Sequence, residues 1–293
     1  MSRDAGASLS HAASVYVPVD WRMALASGTS LPEYTEGAAL FADISGFTPL
    51  TEALARALGL RRGAEELPRH LNRVYDALIA EVHGYGGSVV GFSGDAITCW
   101  FSAVEEADAP PLRAAACARA MQQAMGGFSA VQVPGQPPVA LVIKVAVASG
   151  PARRFLVGDP AIQLIPAMAG ETLARMAAAE EHAARGEVVV DAATAAALAG
   201  RARLDQIEGL GASEDAECFY RLHSLEGQVP ARPWPGQDPD LDEDDVRLWV
   251  LPPVWDRLEA GLGEFLTELR PAVALFLRFG GIDYDDNQGA GAR

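Results

Sequence analysis

Lysine is almost missing from this chain: Lys144 is the only one in 293 residues, and every other basic side chain apart from histidine is an arginine. Acidic residues are in excess, and the formal net charge of −16 disfavours nucleic acid or an anionic membrane as a general partner. Cysteine is scarce as well. Cys99, Cys117 and Cys218 are odd in number and far apart, which argues against a disulfide framework and against a zinc site. No uninterrupted apolar run is long enough to span a bilayer, and the opening residues MSRDAGASLSHAAS lack an apolar signal core behind a basic start. The expectation is a cytoplasmic protein with no membrane partner. Lys144, within LVIKVAVAS, reads as a strand residue whose head reaches water. Chemistry that needs another lysine has to take it from another chain or segment.

What is present suits a sizeable core, since 49% of the residues are apolar. GAALFADI at 37–44 reads as a strand, followed by a helix from about Thr48 and a second helix over 64–82. In that second helix Leu67, Leu71, Val74, Leu78 and Val82 form one apolar stripe, stepping by three or four. SVVGFSGDAITCWFS is a strand, a glycine turn at Ser93-Gly94 and a second strand, the pattern of a hairpin. A helix near 106–125, a Pro/Gly loop at 133–138, strands at 139–148 and 152–157, a helix at 170–184 and a strand at 187–190 complete the pattern. Strands and helices in this order predict an α+β fold with helices packed on one sheet.

From 224 to about 246 the composition turns acidic and proline-rich, as in GQVPARPWPGQDPDLDEDDV, which predicts a linker. Beyond it lies an internal repeat. Shifted by 235, Pro18–Gly46 lies on Pro253–Gly281 without a gap, with ten of 29 positions identical. The chain therefore divides into an N-terminal segment 1–34, a main domain 35–223, a linker 224–250, and the first helix and strand of a second, similar domain at 251–293. In the second copy Arg278 stands where the first has Asp43.

Two carboxylates mark strand-to-turn junctions: Asp43 in ADISGF and Asp95 in FSGDAI. A carboxylate withdrawn from water is costly unless it is paired or binds a cation. Two such groups on neighbouring strands repel, and Mg²⁺ relieves the repulsion while keeping positions open to phosphate oxygens. The helix start at Gly46-Phe47-Thr48 offers backbone N–H groups that suit a phosphate. The competing reading is that Asp43 and Asp95 are turn formers or helix caps.

FADISGFTPLTE followed by GFSGDAITCWF closely resembles the catalytic domain of class III nucleotidyl cyclases over residues 35–223. The likeness is nearest to the bicarbonate-responsive soluble adenylyl cyclase branch, in which two unlike cyclase domains follow one another. The resemblance implies a ferredoxin-like βαββαβ sheet with helices on one face. It also implies conversion of ATP, or less readily GTP, to the 3′,5′-cyclic nucleotide and pyrophosphate, with two Mg²⁺ or Mn²⁺ ions. By that likeness Asp43, Asp95 and the carbonyl of Ile44 match the metal ligands, while Gly46, Phe47, Thr48 and Gly94 belong to the turns around the phosphates.

The chain departs from the family pattern on the other side of the site. Gly91 holds the place of the purine-reading lysine, and Ala174 and Ala178 hold those of the asparagine and arginine that act on ribose and transition-state charge. A shifted alignment would recruit Arg175. Gly91 and Ala177 also fall at or near the positions that bind bicarbonate in the resembled branch. The implied partners are a nucleoside triphosphate and a complementary cyclase domain, with this chain as the metal-supplying half and inactive by itself. The alternative is a pseudocyclase that binds nucleotide as a regulatory module. A haloacid dehalogenase-type phosphatase, which shares the strand–Asp–x–x–Gly–x–Thr opening, fits poorly because Ser45 replaces its general acid.

Overall fold

The computed structural model describes residues 9–103, 109–207, 218–235 and 239–262, together with residues 273, 275, 281, 282, 284 and 285. The chain falls into two compact units. The larger comprises Tyr34–Ala152 and Ala169–Trp234, and the smaller Met1–Glu33, Arg153–Met168 and Pro235–Arg293.

The larger unit begins with β1 (Tyr34–Ser45) and α3 (Phe47–Leu58), and continues through α4 (Leu60–Gly84), β2 (Ser88–Ser93), β3 (Ala96–Ser102) and α5 (Pro110–Ala124). It then takes in the first part of β4 (Val142–Asp159), α6 (Glu171–Glu181), β6 (Val188–Asp191), α7 (Ala192–Ala197), β7 (Ala202–Gln206) and β8 (Phe219–Leu225). The sheet runs β2-β3-β1-β4-β6-β8-β7. Its first four strands have the order of a βαββαβ unit, and β4, α6 and β6 add a crossover whose two strands are parallel, Val145 facing Val188.

Period-two alternation fixes which face of each strand is apolar. Ala38, Leu40, Ala42 and Ile44 of β1, Ile97, Cys99 and Phe101 of β3, and Ile143, Val145 and Val147 of β4 all enter one core. Leu50 and Leu54 of α3, Val74, Leu78 and Val82 of α4, and Met121 of α5 fill it from the helices. Asp43 and Lys144, out of phase with these residues, belong to the opposite face of the sheet. Helix α4 is amphipathic and tolerates Pro68 in its third turn; its predicted stripe partly enters the core, with Leu67 and Leu71 packed at the margin.

One difference from the sequence expectation is informative. The two strands expected at 139–148 and 152–157 are a single strand, β4, that passes straight through Ser149-Gly150-Pro151. Gly150 has φ 146°, and a side-chain carbon there would stand 2.9 Å from Thr172 Oγ1. A Gly-Pro pair that reads as a breaker is here the place where a strand makes room for a helix.

In the smaller unit, α1 (described over 9–14) and α2 (Val19–Ser27) join α8 (Glu243–Arg247) and α9 (Pro252–Glu259). The second part of β4 pairs with β5 (Gln163–Ala169). Ala13, Val17, Val246, Trp249 and Trp255 build its core, with Trp21 and Trp249 tilted against each other at 5.3 Å. Asp20 and Arg154, both buried, pair at 3.3 Å, and Arg153 pairs with Glu33. The strand expected in the second copy of the repeat, and Arg278 with it, lie outside the described residues; α9 covers the start of that copy.

Candidate active site

Strand β1 ends at a turn because Gly46 follows Ser45 with φ 113°. A side-chain carbon at Gly46 would also collide with the carbonyl of Ala140, so both conformation and space require glycine here. The turn delivers the chain into α3, whose first residues are Phe47 and Thr48. Phe47 is buried in the core and Thr48 is exposed. Phe47 can therefore offer a ligand only its backbone N–H, one of the donors a helix leaves unpaired in its first turn.

The second carboxylate arrives on the β2–β3 hairpin. Ser93 pairs with Ala96, leaving Gly94-Asp95 as a two-residue turn in which Gly94 supplies the positive φ of 65°. Tyr75 of α4 donates its hydroxyl to the Gly94 carbonyl at 3.2 Å and meets Phe92 edge-on at 5.4 Å, fixing the turn from the helix side. Register then brings the turns together. Asp43 faces Ala96, and the Ile44 amide donates to the Asp95 carbonyl at 3.3 Å. All seven residues singled out in the sequence, Asp43, Ile44, Gly46, Phe47, Thr48, Gly94 and Asp95, thus lie on two adjacent turns and the strand end between them.

Electrostatics follow from that placement. Asp43 is three-quarters withdrawn from solvent, and its carboxyl titrates above the usual range, first because of burial and second because of the neighbouring Asp95 charge. The opposing influence is Lys144, whose Nζ lies 3.6 Å from Asp43 Oδ2. Lys144 makes a closer ion pair with Glu180 on α6, and that hydrogen bond is the largest of the effects that raise its own titration point. The head of Lys144 is therefore not simply in water, as the sequence suggested; it bridges two carboxylates. Alternation in LVIKVAVAS could have put Lys144 on the face of Asp43, but nothing local marks Glu180.

The donor set suits a hard divalent cation. Asp43, near the end of β1, and Asp95, in the adjacent hairpin turn, are carboxylates that repel one another, and the Ile44 carbonyl directly follows Asp43 in the chain. Among the described residues no group of three or more His, Cys, Asp or Glu side chains is arranged to hold a metal.

The remaining expected positions offer little chemistry. Gly91 sits beside a bulge in β2, and among the described residues nothing lies within 4 Å of where its side chain would start. Ala174 is exposed and Ala178 half-buried on α6. Arg175, the candidate under a shifted alignment, donates Nε to Asp191 at 2.8 Å and a terminal nitrogen to the Ser149 carbonyl at 2.8 Å. Asp191 in turn caps α7 through the Thr194 amide. The Arg175 guanidinium is committed to holding α6 against the sheet.

No family model matches the chain. A 65-residue segment is 42% identical to adenylate cyclase type 10 of Oryctolagus cuniculus and covers 22% of this chain; the Homo sapiens protein matches at the same identity and length. The matched segment spans 4% of the length of these relatives. Among solved structures, the adenylyl cyclase CyaB from P. aeruginosa superposes with a TM-score of 0.54 at 18% identity, covering 65% of this chain and 95% of that one. The guanylate cyclase domain of RhGC from Catenaria anguillulae, in complex with GTP, gives 0.52 at 18% identity over 67% of this chain and all of that one. The ferredoxin-like strand order and these structural similarities agree: the chain has the fold of class III nucleotidyl cyclase catalytic domains.

Proposed function

We propose that this chain is the metal-supplying half of a nucleotidyl cyclase that converts ATP, with GTP as the alternative, to the 3′,5′-cyclic nucleotide and pyrophosphate. The observation that carries the reading is the convergence of Asp43 and Asp95 beside the start of α3. Asp43, Asp95 and the Ile44 carbonyl would hold two Mg²⁺ or Mn²⁺ ions, which when bound acidify the ribose 3′-hydroxyl and neutralise the leaving pyrophosphate. In the reaction a 3′-oxygen–α-phosphorus bond would form as the bond from the α-phosphorus to the bridging oxygen breaks, the 3′-hydroxyl proton passing to water and pyrophosphate leaving. Among the described residues, the Phe47 and Thr48 amides and the Lys144 ammonium would be available to triphosphate oxygens.

What the larger unit does not offer is a side chain at Gly91, Ala174 or Ala178 to read the purine and offset transition-state charge. A complementary cyclase domain, joined to this one or on another chain, would supply those groups, and the repeat at 251–293 supports a tandem arrangement. The rival reading, a nucleotide-binding pseudocyclase, draws on the same three small residues.

Cyclic AMP and cyclic GMP formation with Mn²⁺ separates them. The expected result is little product from 1–293 alone, turnover after adding a complete second cyclase domain, and loss of that turnover in Asp43→Ala with Asp95→Ala. Nucleotide binding that depends on Asp43 but never yields product with any complementary domain would establish the pseudocyclase. Strong turnover by 1–293 alone, lost in Arg175→Ala, would overturn the half-site reading.

A further inference from the structure

The single lysine of the chain has two carboxylate partners, and only one of them belongs to the expected metal pair. We propose that Glu180 is a positioning residue that sets the cation affinity of Asp43 by drawing Lys144 away from it. This rests on the reading of Asp43 and Asp95 as metal ligands and goes beyond it to a residue that nothing else assigns.

The geometry is a three-membered bridge. Lys144 Nζ stands 3.6 Å from Asp43 Oδ2 and is in closer contact with Glu180 Oε1. The three side chains keep only 24%, 25% and 21% of their exposure for Lys144, Asp43 and Glu180, so their interactions are screened less than those of an open surface pair. An ammonium is a compact point charge on a flexible stem and can lean towards either carboxylate. Leaning to Asp43, it competes with a divalent cation for the same oxygen lone pairs. Leaning to Glu180, it leaves those lone pairs open and still stands beside the site.

Glu180 has no substitute partner on its own helix, because the α6 arginine, Arg175, is taken by Asp191 and the Ser149 carbonyl. Lys144 likewise sits in β4 between apolar neighbours, Ile143 and Val145, that point into the core. Each of the pair is therefore the other's strongest restraint. Removing the Glu180 charge should return Lys144 to Asp43.

The test is Mn²⁺ alone, titrated by electron paramagnetic resonance into the full chain as wild type, Glu180→Gln, Lys144→Met, the double variant, and Asp43→Ala with Asp95→Ala. Melting curves confirm that each is folded. Glu180→Gln should weaken Mn²⁺ binding by about threefold to tenfold, the range of one partly screened charge interaction. Lys144→Met should tighten it, and in that background Glu180→Gln should change affinity by less than about twofold, since the coupling passes through the lysine. An equal loss in both backgrounds would show that Glu180 acts on the ion directly and would overturn the proposal, as would unchanged affinity in Glu180→Gln.

A second readout follows the lysine itself. With lysine labelled by ¹³C at Cε the chain gives one lysine resonance, which should shift in Glu180→Gln without metal and again on adding Mg²⁺; a signal that Glu180→Gln leaves unmoved would also overturn the proposal. If Asp43→Ala with Asp95→Ala binds Mn²⁺ as well as wild type, the metal reading itself fails. If those variants lose binding while Glu180→Gln changes nothing, only the role of Glu180 fails.

Discussion

Each compact unit contains an aspartate facing a basic side chain, and the two pairs are built in opposite ways. In the smaller unit Asp20 and Arg154 are both buried, at 3.3 Å. In the larger unit Asp43 and Lys144 are about a quarter exposed at 3.6 Å, with Glu180 as a third member. Charges sealed from water must satisfy one another and cannot be spared for a ligand. Charges at the rim, held in a partly satisfied and repulsive set with Asp95, keep contact with water, which is what the proposed exchange of a lysine for a cation requires. Burial thus separates an aspartate that serves the fold from one that can serve chemistry.

The largest expected effect breaks the first pair. Arg154→Met removes one half of a buried ion pair and should cost about 3–5 kcal/mol, read as a fall in the midpoint of urea unfolding, with the nucleotide binding proposed at Asp43 spared in the protein that remains folded. A loss below about 1 kcal/mol would show that the smaller unit does not depend on its buried pair. Next in size is Gly46→Ala. The positive φ and the nearby Ala140 carbonyl should make it cost about 1–3 kcal/mol, and because the turn aims both Asp43 and α3, Mn²⁺ affinity should fall with it.

The smallest effect concerns Asp43 and pH. Its folded-state titration point lies above the ordinary value of 3.8, so the folded chain holds this proton more tightly than the unfolded one. Stability contributed by the protonated form is present below 3.8 and is lost as pH rises through the raised folded value. In a chelating buffer, wild type should therefore lose stability relative to Asp43→Asn as pH rises through that window, by an amount visible in melting temperature. A difference independent of pH would show that Asp43 is not held at a cost, and the contrast with Asp20 would lose its basis.

The positions of the candidate site residues were legible because turns punctuate that region. Gly46 and Gly94 each follow a β-rich run, and an aspartate beside such a glycine stands out without any three-dimensional information. The βαββαβ order was legible for the same reason, from period-two and period-3.6 runs between glycine and proline signals. What could not be read were facts that depend on distant residues. Gly150-Pro151 looks like the end of a strand until Thr172 and Arg175 are seen beside it. The role of Lys144 depends on Glu180, 36 positions along the chain and on another element. Arg175 appeared available because its partner Asp191 lies at the end of a strand that it reaches only in the folded state.

The lone lysine also makes the native sheet measurable by proteolysis. To a lysine-specific endoprotease the whole chain presents one peptide bond, Lys144–Val145, in a strand that is paired to β6 from Val145 onward. An extended strand locked in a ladder does not fit a protease cleft, so cutting has to wait for β4 to open, and the cleavage rate under fast reclosing reports the free energy of that opening. Every cut is at the same place, dividing the chain into 1–144 and 145–293, so a single pair of fragments would count openings of the strand whose lysine bridges Asp43 and Glu180.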